Sequence, residues 1–292
     1  MNYIHYKLDD WIGDNYKKFS SWSITGNSKA IELLVSKKVL LEKSYISKNT
    51  DNLFVKYFLL RTDNLIHINW SDFSMNNSDE AVSYLLKNPE KIVWTWFSLN
   101  SNPRVIDYLE KNPDKIYWKY LSGNPSAIKL LKENKDKIDY TELSGNTNPE
   151  VLELFKNNKK KLNWSYLSGN PVAIKLLLLN KTSIKKIDWI QFNKNTAKEA
   201  IDFLIKHPQY ICHYFLSMNE SAIDYFKENP DRINWETFGS NPGIFKINYG
   251  KMKRNFEKTA EEIYTKAVNP KRICRLMEKY GEEEVYKNFF DE

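Results

Sequence analysis

An asparagine recurs along most of this chain at a nearly constant interval, and no other feature of the sequence constrains the fold as strongly. Successive members of the series stand 22 to 27 residues apart. They are Asn27, Asn49, Asn76, Asn100, Asn124, Asn146, Asn170, Asn195, Asn219 and Asn241. A period of this length is typical of repeat proteins, in which each structural unit contacts mainly its neighbours. Each unit is named below after its asparagine.

An aromatic residue stands six positions before most of these asparagines. The predicted structural anchors are Trp70, Trp94, Trp118, Tyr140, Trp164, Trp189 and Trp235. Ser21, Lys43 and His213 take the same position in the remaining units. Because an aromatic side chain can bury roughly 150–250 Å², we expect the anchors to hold adjacent units together.

The asparagine itself has the features of a helix N-cap. In the pairs Asn124-Pro125, Asn170-Pro171 and Asn241-Pro242, the asparagine side chain can accept from an amide of the first turn, and proline suits the first helical position. Asn102-Pro103 and Asn148-Pro149 repeat this arrangement two residues later. A helix of about ten residues is predicted to follow, with apolar residues at a helical period and a small alanine that permits close packing.

A second, shorter helix is predicted to precede each asparagine. In the Asn146 unit, Asp139 and Glu142 have the spacing of a capping box, and Ile138 and Leu143 that of a hydrophobic staple. Gly123, Gly145 and Gly169 stand where such a helix would end.

Two short helices cannot bury their apolar faces alone, so the units must stack. The sequence therefore predicts an all-α fold, an α-solenoid of about ten two-helix repeats forming one continuous rod. The array should span residues 21–242, with an N-terminal cap over the first unit at 1–20. Residues 243–292 should form a C-terminal cap with helices at 256–268 and 270–279, a stop at Gly281 and an acidic tail around 282–284.

Several classes of protein are disfavoured by composition. No apolar stretch approaches the roughly 18–20 residues of a membrane span, so membrane insertion is not expected. Asp9 and Asp10 interrupt the region where a signal peptide would be apolar. The two cysteines, Cys212 and Cys274, form no paired motif, which favours a reducing, intracellular setting over secretion.

No pattern of catalytic or ligand-binding residues emerges. The nine glycines form no phosphate-binding loop. The four histidines, at 5, 67, 207 and 213, are scattered and lie at no metal-ligand spacing with cysteine. The prediction is a protein that is not an enzyme and needs neither cofactor nor metal.

One stretch stands out by charge. The chain carries a formal net charge of +7, and its many lysine, asparagine and isoleucine residues match an AT-rich coding sequence. Between Glu153 and Asp188, however, no acidic residue occurs. The candidate anion- or partner-binding residues there are Lys156, Lys159, Lys160, Lys161, Lys181, Lys185 and Lys186. They could meet nucleic-acid phosphates, an anionic lipid surface or an acidic protein, or simply form a solvated face.

A motif recurs at 116–134 and 162–177. It consists of an aliphatic residue, a spacer and tryptophan, followed after two residues by Leu-Ser-Gly-Asn-Pro. This motif resembles repeats of proteins from giant nucleocytoplasmic DNA viruses. The segment 267–273 resembles the ending of such chains, and the likeness covers roughly residues 21–245. The resemblance implies a viral protein in the host cytoplasm or in a virion, and it supplies no catalytic residues. The ankyrin signature Thr-Pro-Leu-His and its 33-residue period are absent from this chain.

Three functions follow as expectations. The first is a non-enzymatic scaffold that holds a protein partner, because helical repeats present long binding surfaces. The second is binding of nucleic acid or another anionic surface through the lysine-rich residues 156–186. The third is a structural or minor component of a virus particle.

Overall fold

The computed structural model describes residues 4–36, 47–59, 68–156, 158–179, 181–267 and 270–281. Lys43, His67 and the acidic residues 282–284 fall outside these ranges, so the expectations placed on them are not addressed. The all-α class is confirmed, because the described residues form helices and 3₁₀ turns with a single two-stranded sheet among them. Residues 7–246 make up one compact part, and the residues before and after them a second.

Short helices precede the asparagines as the sequence predicts. They are Ser21–Thr25, Trp70–Met75, Trp94–Phe97, Trp118–Ser122, Tyr140–Leu143, Trp164–Gly169, Trp189–Phe192, His213–Leu216 and Trp235–Phe238. Side-chain caps open several of them: the Asn69 side chain accepts from the amides of Ser71 and Asp72, and the Asp139 side chain from that of Glu142. The predicted capping box is only half formed, because the Asp139 amide donates to Ser122 Oγ of the preceding unit, not to Glu142.

A second set of helices follows the asparagines. Its members are Ile31–Ser36, Asn52–Leu59, Asp79–Lys87, Pro103–Lys111, Ile128–Glu133, Val151–Lys156, Ile174–Leu177, Lys198–Lys206 and Ile223–Glu228. Three begin as 3₁₀ turns at Pro125–Ala127, Pro171–Ala173 and Glu220–Ala222. The predicted small residue of these helices is fully buried in every unit that has alanine there, as at Ala81, Ala127 and Ala173. Apolar packing between the two helix sets forms the core.

Turns connect the second helix of one unit to the short helix of the next. Most are single 3₁₀ turns, at Pro89–Lys91, Pro113–Lys115, Lys135–Lys137, Lys159–Lys161, Pro208–Tyr210 and Pro230–Arg232. In the Asn195 unit a short helix at Lys181–Ile184 takes this place. Proline suits such a turn because its fixed φ matches the first turn position.

Each asparagine of the series forms three hydrogen bonds, two to the preceding unit and one within its own. Asn124 is typical: its Nδ2 donates to the carbonyl oxygens of Ser98 and Asn100 at 2.9 and 2.7 Å, and its Oδ1 accepts from the amide of Ser126 at 3.0 Å. All ten asparagines repeat this pattern and are at most 3% exposed. The predicted N-cap role is correct at Asn124, Asn170, Asn219 and Asn241. Elsewhere the cap can lie two residues later, as at Ser78 and at the predicted Asn102. A second role, between units, is common to the whole series.

The two ends of the array are joined by the same bonds. Asn27 Nδ2 donates to the carbonyl oxygens of Gly239 and Asn241 at 2.9 and 3.1 Å, as any inner asparagine does to the unit before it. Ser20 Oγ donates to the carbonyl oxygen of Glu236 at 2.6 Å. The first unit thus follows the last, and the hydrogen bonds between the ten units form a closed circuit.

The prediction of a continuous rod is therefore wrong. A rod has two free end units, which caps must cover, whereas here the residues before the first helix pack against the last short helix. Trp11 and Phe19 both contact Phe238, with ring centroids 6.0 and 6.4 Å apart, and Ile12 is fully buried. The N-terminal segment was predicted as a cap over the first unit, but it connects the first unit to the last. This connection is called the joint below.

Strand pairing accompanies this joint. Strand β1 (Tyr6–Leu8) pairs with strand β2 (Phe245–Ile247), and the amide of Asp9 donates to the carbonyl oxygen of Ile244 at 2.8 Å. Lys246 Nζ lies 3.0 Å from Asp9 Oδ1 and 2.6 Å from Asp10 Oδ2. The sequence indicated no strand here.

The short helix of the Asn124 unit ends at Gly123, as predicted, but by a different backbone conformation. Gly123 has φ −78°, in the right-handed region, so it does not end the helix through a left-handed conformation. A Cβ there would lie 3.1 Å from Leu99 Cδ1 of the preceding unit. The absence of a side chain thus allows the neighbouring unit to approach.

The second compact part contains two longer helices, Tyr249–Ala267 and Pro270–Tyr280. Both were predicted, although the first begins seven residues earlier than 256. Pro270 opens the second helix, and Gly281 follows it with φ +91°, a left-handed conformation that glycine adopts without strain.

Candidate functional site

The anchor aromatics are half-buried, and most of them are covered on two faces. On one side, Trp70 stacks on Tyr84 and Trp94 on Tyr108, with ring centroids 6.2 and 6.0 Å apart and planes within 16°. These partners belong to the second helix of the same unit. Trp189 and Phe203 form the same pair at 6.0 Å.

A cation from the next unit covers the other side of most anchor rings. The pairs, with the distance from Nζ to the ring centroid, are Lys91 with Trp70 (5.5 Å), Lys115 with Trp94 (5.7 Å), Lys137 with Trp118 (4.4 Å), Lys161 with Tyr140 (4.8 Å), Lys186 with Trp164 (4.8 Å) and Lys18 with Trp235 (5.1 Å). In the last pair, Lys18 reaches the last unit from the N-terminal segment, so this series also continues across the joint. Tyr210 replaces the cation over Trp189, at 3.7 Å.

Two of the predicted anion-binding lysines thus have a structural role. Lys161 and Lys186 occupy the position that holds a cation over the anchor in other units. Cation–π contacts at exposed sites contribute roughly 0.5–1 kcal/mol each. Their presence therefore needs no ligand to explain it.

The residue just before this cation is more specific evidence for a binding site. In four other units it is acidic: Glu90, Asp114, Asp136 and Asp231. Before Lys18 it is Lys17, whose Nζ is paired with Asp14 at 3.3 Å. In the adjacent Asn170 and Asn195 units it is Lys160 and Lys185. The sign of the charge is therefore reversed at one structural position in two consecutive turns, which a general lysine excess does not explain.

These two turns form the surface named here the lysine edge. It comprises Lys159, Lys160, Lys161, Lys185 and Lys186, all exposed. Within the described residues none of the five forms an ion pair. Two further predicted site residues lie nearby in the chain: Lys156 ends the helix Val151–Lys156, and Lys181 begins the helix Lys181–Ile184.

A partly open cavity of about 260 Å³ adjoins the lysine edge. It is lined by Lys132, Lys135, Tyr140, Glu153, Leu154 and Asn158. Asn158 directly precedes Lys159, and the Tyr140 ring lies under Lys161. In this unit a tyrosine anchor stands with a leucine, whereas most other units have tryptophan with leucine, tyrosine or phenylalanine.

One wall of the cavity is an ion-pair cluster. Lys132 Nζ lies 2.6 Å from Glu150 Oε2 and 3.0 Å from Glu153 Oε2. Hydrogen bonds to the two glutamates raise the pKa of Lys132, and the hydrogen bond from Lys132 lowers the pKa of Glu153. Lys135, on the same cavity, forms no ion pair with any described residue. No sequence pattern indicated this cavity.

The unit with histidine as its anchor has a distinct environment. His213 Nε2 lies 3.3 Å from the Tyr225 hydroxyl, and the imidazole stacks on the Tyr225 ring. Burial lowers the pKa of His213, and the positive charge of Arg232 lowers it further. Cys212, the residue before His213, is partly buried.

Comparison with family models, curated proteins and solved structures gives no match. Among the described residues, no helix is both long enough and apolar enough to cross a membrane. Nor do histidine, cysteine and carboxylate side chains cluster as metal ligands in that part of the chain.

Proposed function

We propose that this protein is a non-enzymatic binding scaffold whose lysine edge holds a narrow, negatively charged partner. The observation that carries the proposal is the reversal from acid to lysine at equivalent positions of two adjacent turns. Lys160 and Lys185 are free to make ion pairs with a partner, because no carboxylate of the described chain neutralises them. Stacked helices lie about 8–10 Å apart, so lysines of successive turns can contact successive charges of one polyanion.

The flanking turns limit the shape of that partner. On one side the same position holds Asp136 and then Asp114, and on the other side Gln209 and then Asp231. A broad anionic surface such as a membrane would meet these carboxylates together with the lysines. A narrow polyanion can cross the lysine edge without contacting them, and so avoids like-charge repulsion.

The test is binding of heparin, a flexible polyanion without bases, across a salt series. We expect Lys160→Glu with Lys185→Glu to weaken binding at least tenfold and to lower the salt slope by about one per lysine. Glutamate occurs naturally at this position, as Glu90, so the variant should fold.

The matched control is Lys56→Glu with Lys129→Glu, which makes the same charge change at exposed lysines of two second helices. If both pairs weaken binding equally, the binding reflects net charge and the lysine edge is not a site. Absence of heparin binding at about 50 mM salt would reject the proposal outright, since phosphate-type contacts are strongest at low salt.

A protein partner is a second candidate, favoured by exposed apolar residues in three consecutive units. Leu152, Leu179 and Ile205 belong to consecutive units and are 38%, 69% and 48% exposed. Lys156 and Lys206 stand four residues and one residue after Leu152 and Ile205. The occupant this surface fits is an amphipathic helix with acidic flanks.

A synthetic peptide of that design tests this candidate. It should bind with a measurable Kd that Leu152→Ser, Leu179→Ser and Ile205→Ser together abolish. Tyr117→Ser, at an exposed apolar residue elsewhere (47% exposed), should leave the Kd unchanged. Equal losses in both variants would remove the surface from consideration.

A further inference from the structure

We propose that the partner of the lysine edge is single-stranded nucleic acid, with one base held in the adjoining cavity. The inference rests on the proposed function and names the chemical class of the polyanion. Its basis is the contiguity of two features: a row of unpaired lysines, and a cavity with apolar and polar walls that begins at the same turn.

The size of the cavity suits one ring system. Its volume of about 260 Å³ lies below the roughly 300–1,000 Å³ of sites for drug-sized ligands. Leu154 and Tyr140 offer an apolar contact for a planar group. Asn158 and Lys135 lie on the same lining.

The polar groups of the lining can contact a base edge. Asn158 Nδ2 donates to the carbonyl oxygen of Leu154 at 3.0 Å, which directs its Oδ1 away from that bond as an acceptor. Lys135 Nζ is a donor without an ion pair in the described chain, and Glu153 offers carboxylate oxygens. Donors and acceptors beside an apolar wall are the features by which unstacked bases are recognised.

The strand must be single, because a paired base keeps its edge inside a duplex. Phosphates of the same strand would then lie along Lys159, Lys160 and Lys185. A peptide of acidic residues alone could meet the lysines but has no planar ring for the cavity. The two partners therefore differ in whether the cavity contributes to binding.

The experiment compares four fluorescent or competing probes: a mixed-sequence single-stranded 12-mer, an abasic 12-mer with the same phosphates, heparin and polyglutamate. We expect the single strand to bind about tenfold more tightly than the abasic strand, in line with base stacking on protein side chains. Equal affinity for the two strands, or polyglutamate binding as tightly as the 12-mer, would overturn the inference. Failure of heparin and every other probe would instead overturn the proposed function and the inference with it.

A filled cavity supplies the decisive variant. Leu154→Tyr introduces the residue that stands at the equivalent position as Tyr84 and Tyr108, so the unit should remain folded, as circular dichroism can confirm. We expect it to remove the tenfold preference for the single strand while heparin binding stays unchanged. Leu130→Tyr, the same substitution beside Trp118, is the control and should preserve the preference.

A second variant avoids any change in packing. Lys135→Gln keeps a hydrogen-bond donor on a side chain one atom shorter and removes the charge. We expect it to reduce the preference for the 12-mer over the abasic strand by more than it reduces heparin binding. If neither Leu154→Tyr nor Lys135→Gln alters the preference, the cavity holds no base.

Discussion

The side chain of Asn27 donates a hydrogen bond to the backbone carbonyl oxygen of Asn241, 214 residues away, at 3.1 Å. The same bond links Asn124 to Asn100 and every other neighbouring pair in the series. Because the pattern is uninterrupted, none of the ten units is terminal. This closure distinguishes the fold from an open helical repeat, whose end units depend on caps.

The inner asparagines should be among the most sensitive positions of the chain. We expect Asn124→Ala to lower the free energy of unfolding by about 3 kcal/mol, because it removes an N-cap and leaves two buried carbonyl oxygens without a donor. Urea unfolding measures the change. Asn77→Ala, at an exposed asparagine, is the control and should cost well under 1 kcal/mol. A similar small loss at Asn124 would contradict the structural role given to the series.

The joint between the last and first units has a steric requirement of its own. A Cβ on Gly239 would lie 2.5 Å from Ser23 Oγ and 3.2 Å from Phe19 Cβ, although its φ of −57° suits any residue. We expect Gly239→Ala to destabilise the protein by about 1–3 kcal/mol, as overpacking does. Thermal or urea unfolding would measure the loss.

A double-mutant cycle shows whether that loss arises at the joint. Adding Ser23→Ala should recover part of it, since the closest clashing atom is removed. The control is Gly26→Ala, where the nearest atom is a backbone oxygen at 3.9 Å and no loss is expected. If Ser23→Ala gives no recovery, the first and last units are not packed as described.

The anchor position of the Asn219 unit should make stability depend on pH. Burial, with Arg232 nearby, lowers the pKa of His213 in the folded state, so between that pKa and the unfolded value near 6.5 the unfolded chain binds more protons. Stability is therefore fully present above about pH 6.5 and falls as the pH decreases through this window. Unfolding free energies from pH 8 to pH 5 should show the decline.

The matched variant for this prediction is His213→Phe, which keeps a ring against Tyr225 and cannot titrate. The groups facing His213 are Tyr225, Arg232 and Asp231, and all three remain in the variant. We expect a smaller loss of stability between pH 6.5 and pH 5 than in the wild type. Identical pH profiles would show that His213 does not carry the effect.

The sequence was sufficient for the local structure and insufficient for the closure. Caps such as Asn124 and helix-starting prolines act within a few residues, so their effect can be predicted from spacing alone. The meeting of Asn27 with Asn241 depends instead on the small rotation between neighbouring units, summed over all ten. That rotation is set by packing, for example by Leu99 against Gly123, and no single residue encodes it.

The candidate site, like the fold, could be predicted from the sequence only in part. The lysine-rich stretch was visible in the sequence, but its meaning differs between neighbours: Lys161 covers the Tyr140 ring, whereas Lys160 stands where other units have an acid. These two roles can be told apart only when equivalent positions of successive turns are aligned. The cavity beside Leu154 could not be anticipated, because its lining comes from turns and helices that meet only when neighbouring units are packed.

Closure also predicts how the protein opens. In an open array the terminal units exchange their amide hydrogens at a lower free energy than the inner ones, because each lacks a neighbour. Here the amide of Phe238, bonded to the Asn234 carbonyl oxygen at 3.0 Å, forms the same helical hydrogen bond as that of Leu121, bonded to the Tyr117 carbonyl oxygen at 2.9 Å. Both units have a neighbour on each side. We therefore expect native-state hydrogen exchange to give the two amides similar protection.

A variant that breaks the joint should remove the equal protection of the Phe238 and Leu121 amides, and it should leave the inner units unchanged. In Asn27→Ala, the first and last units lose the bonds that make them inner units, so we expect protection to fall at Phe238 and Ile24 while Leu121 stays near its wild-type value. Asn124→Ala should produce the opposite distribution, with the loss centred on Leu121. If Phe238 exchanges faster than Leu121 in the wild type by more than about tenfold, which corresponds to about 1.4 kcal/mol, the closed circuit is not the state that the protein adopts in solution.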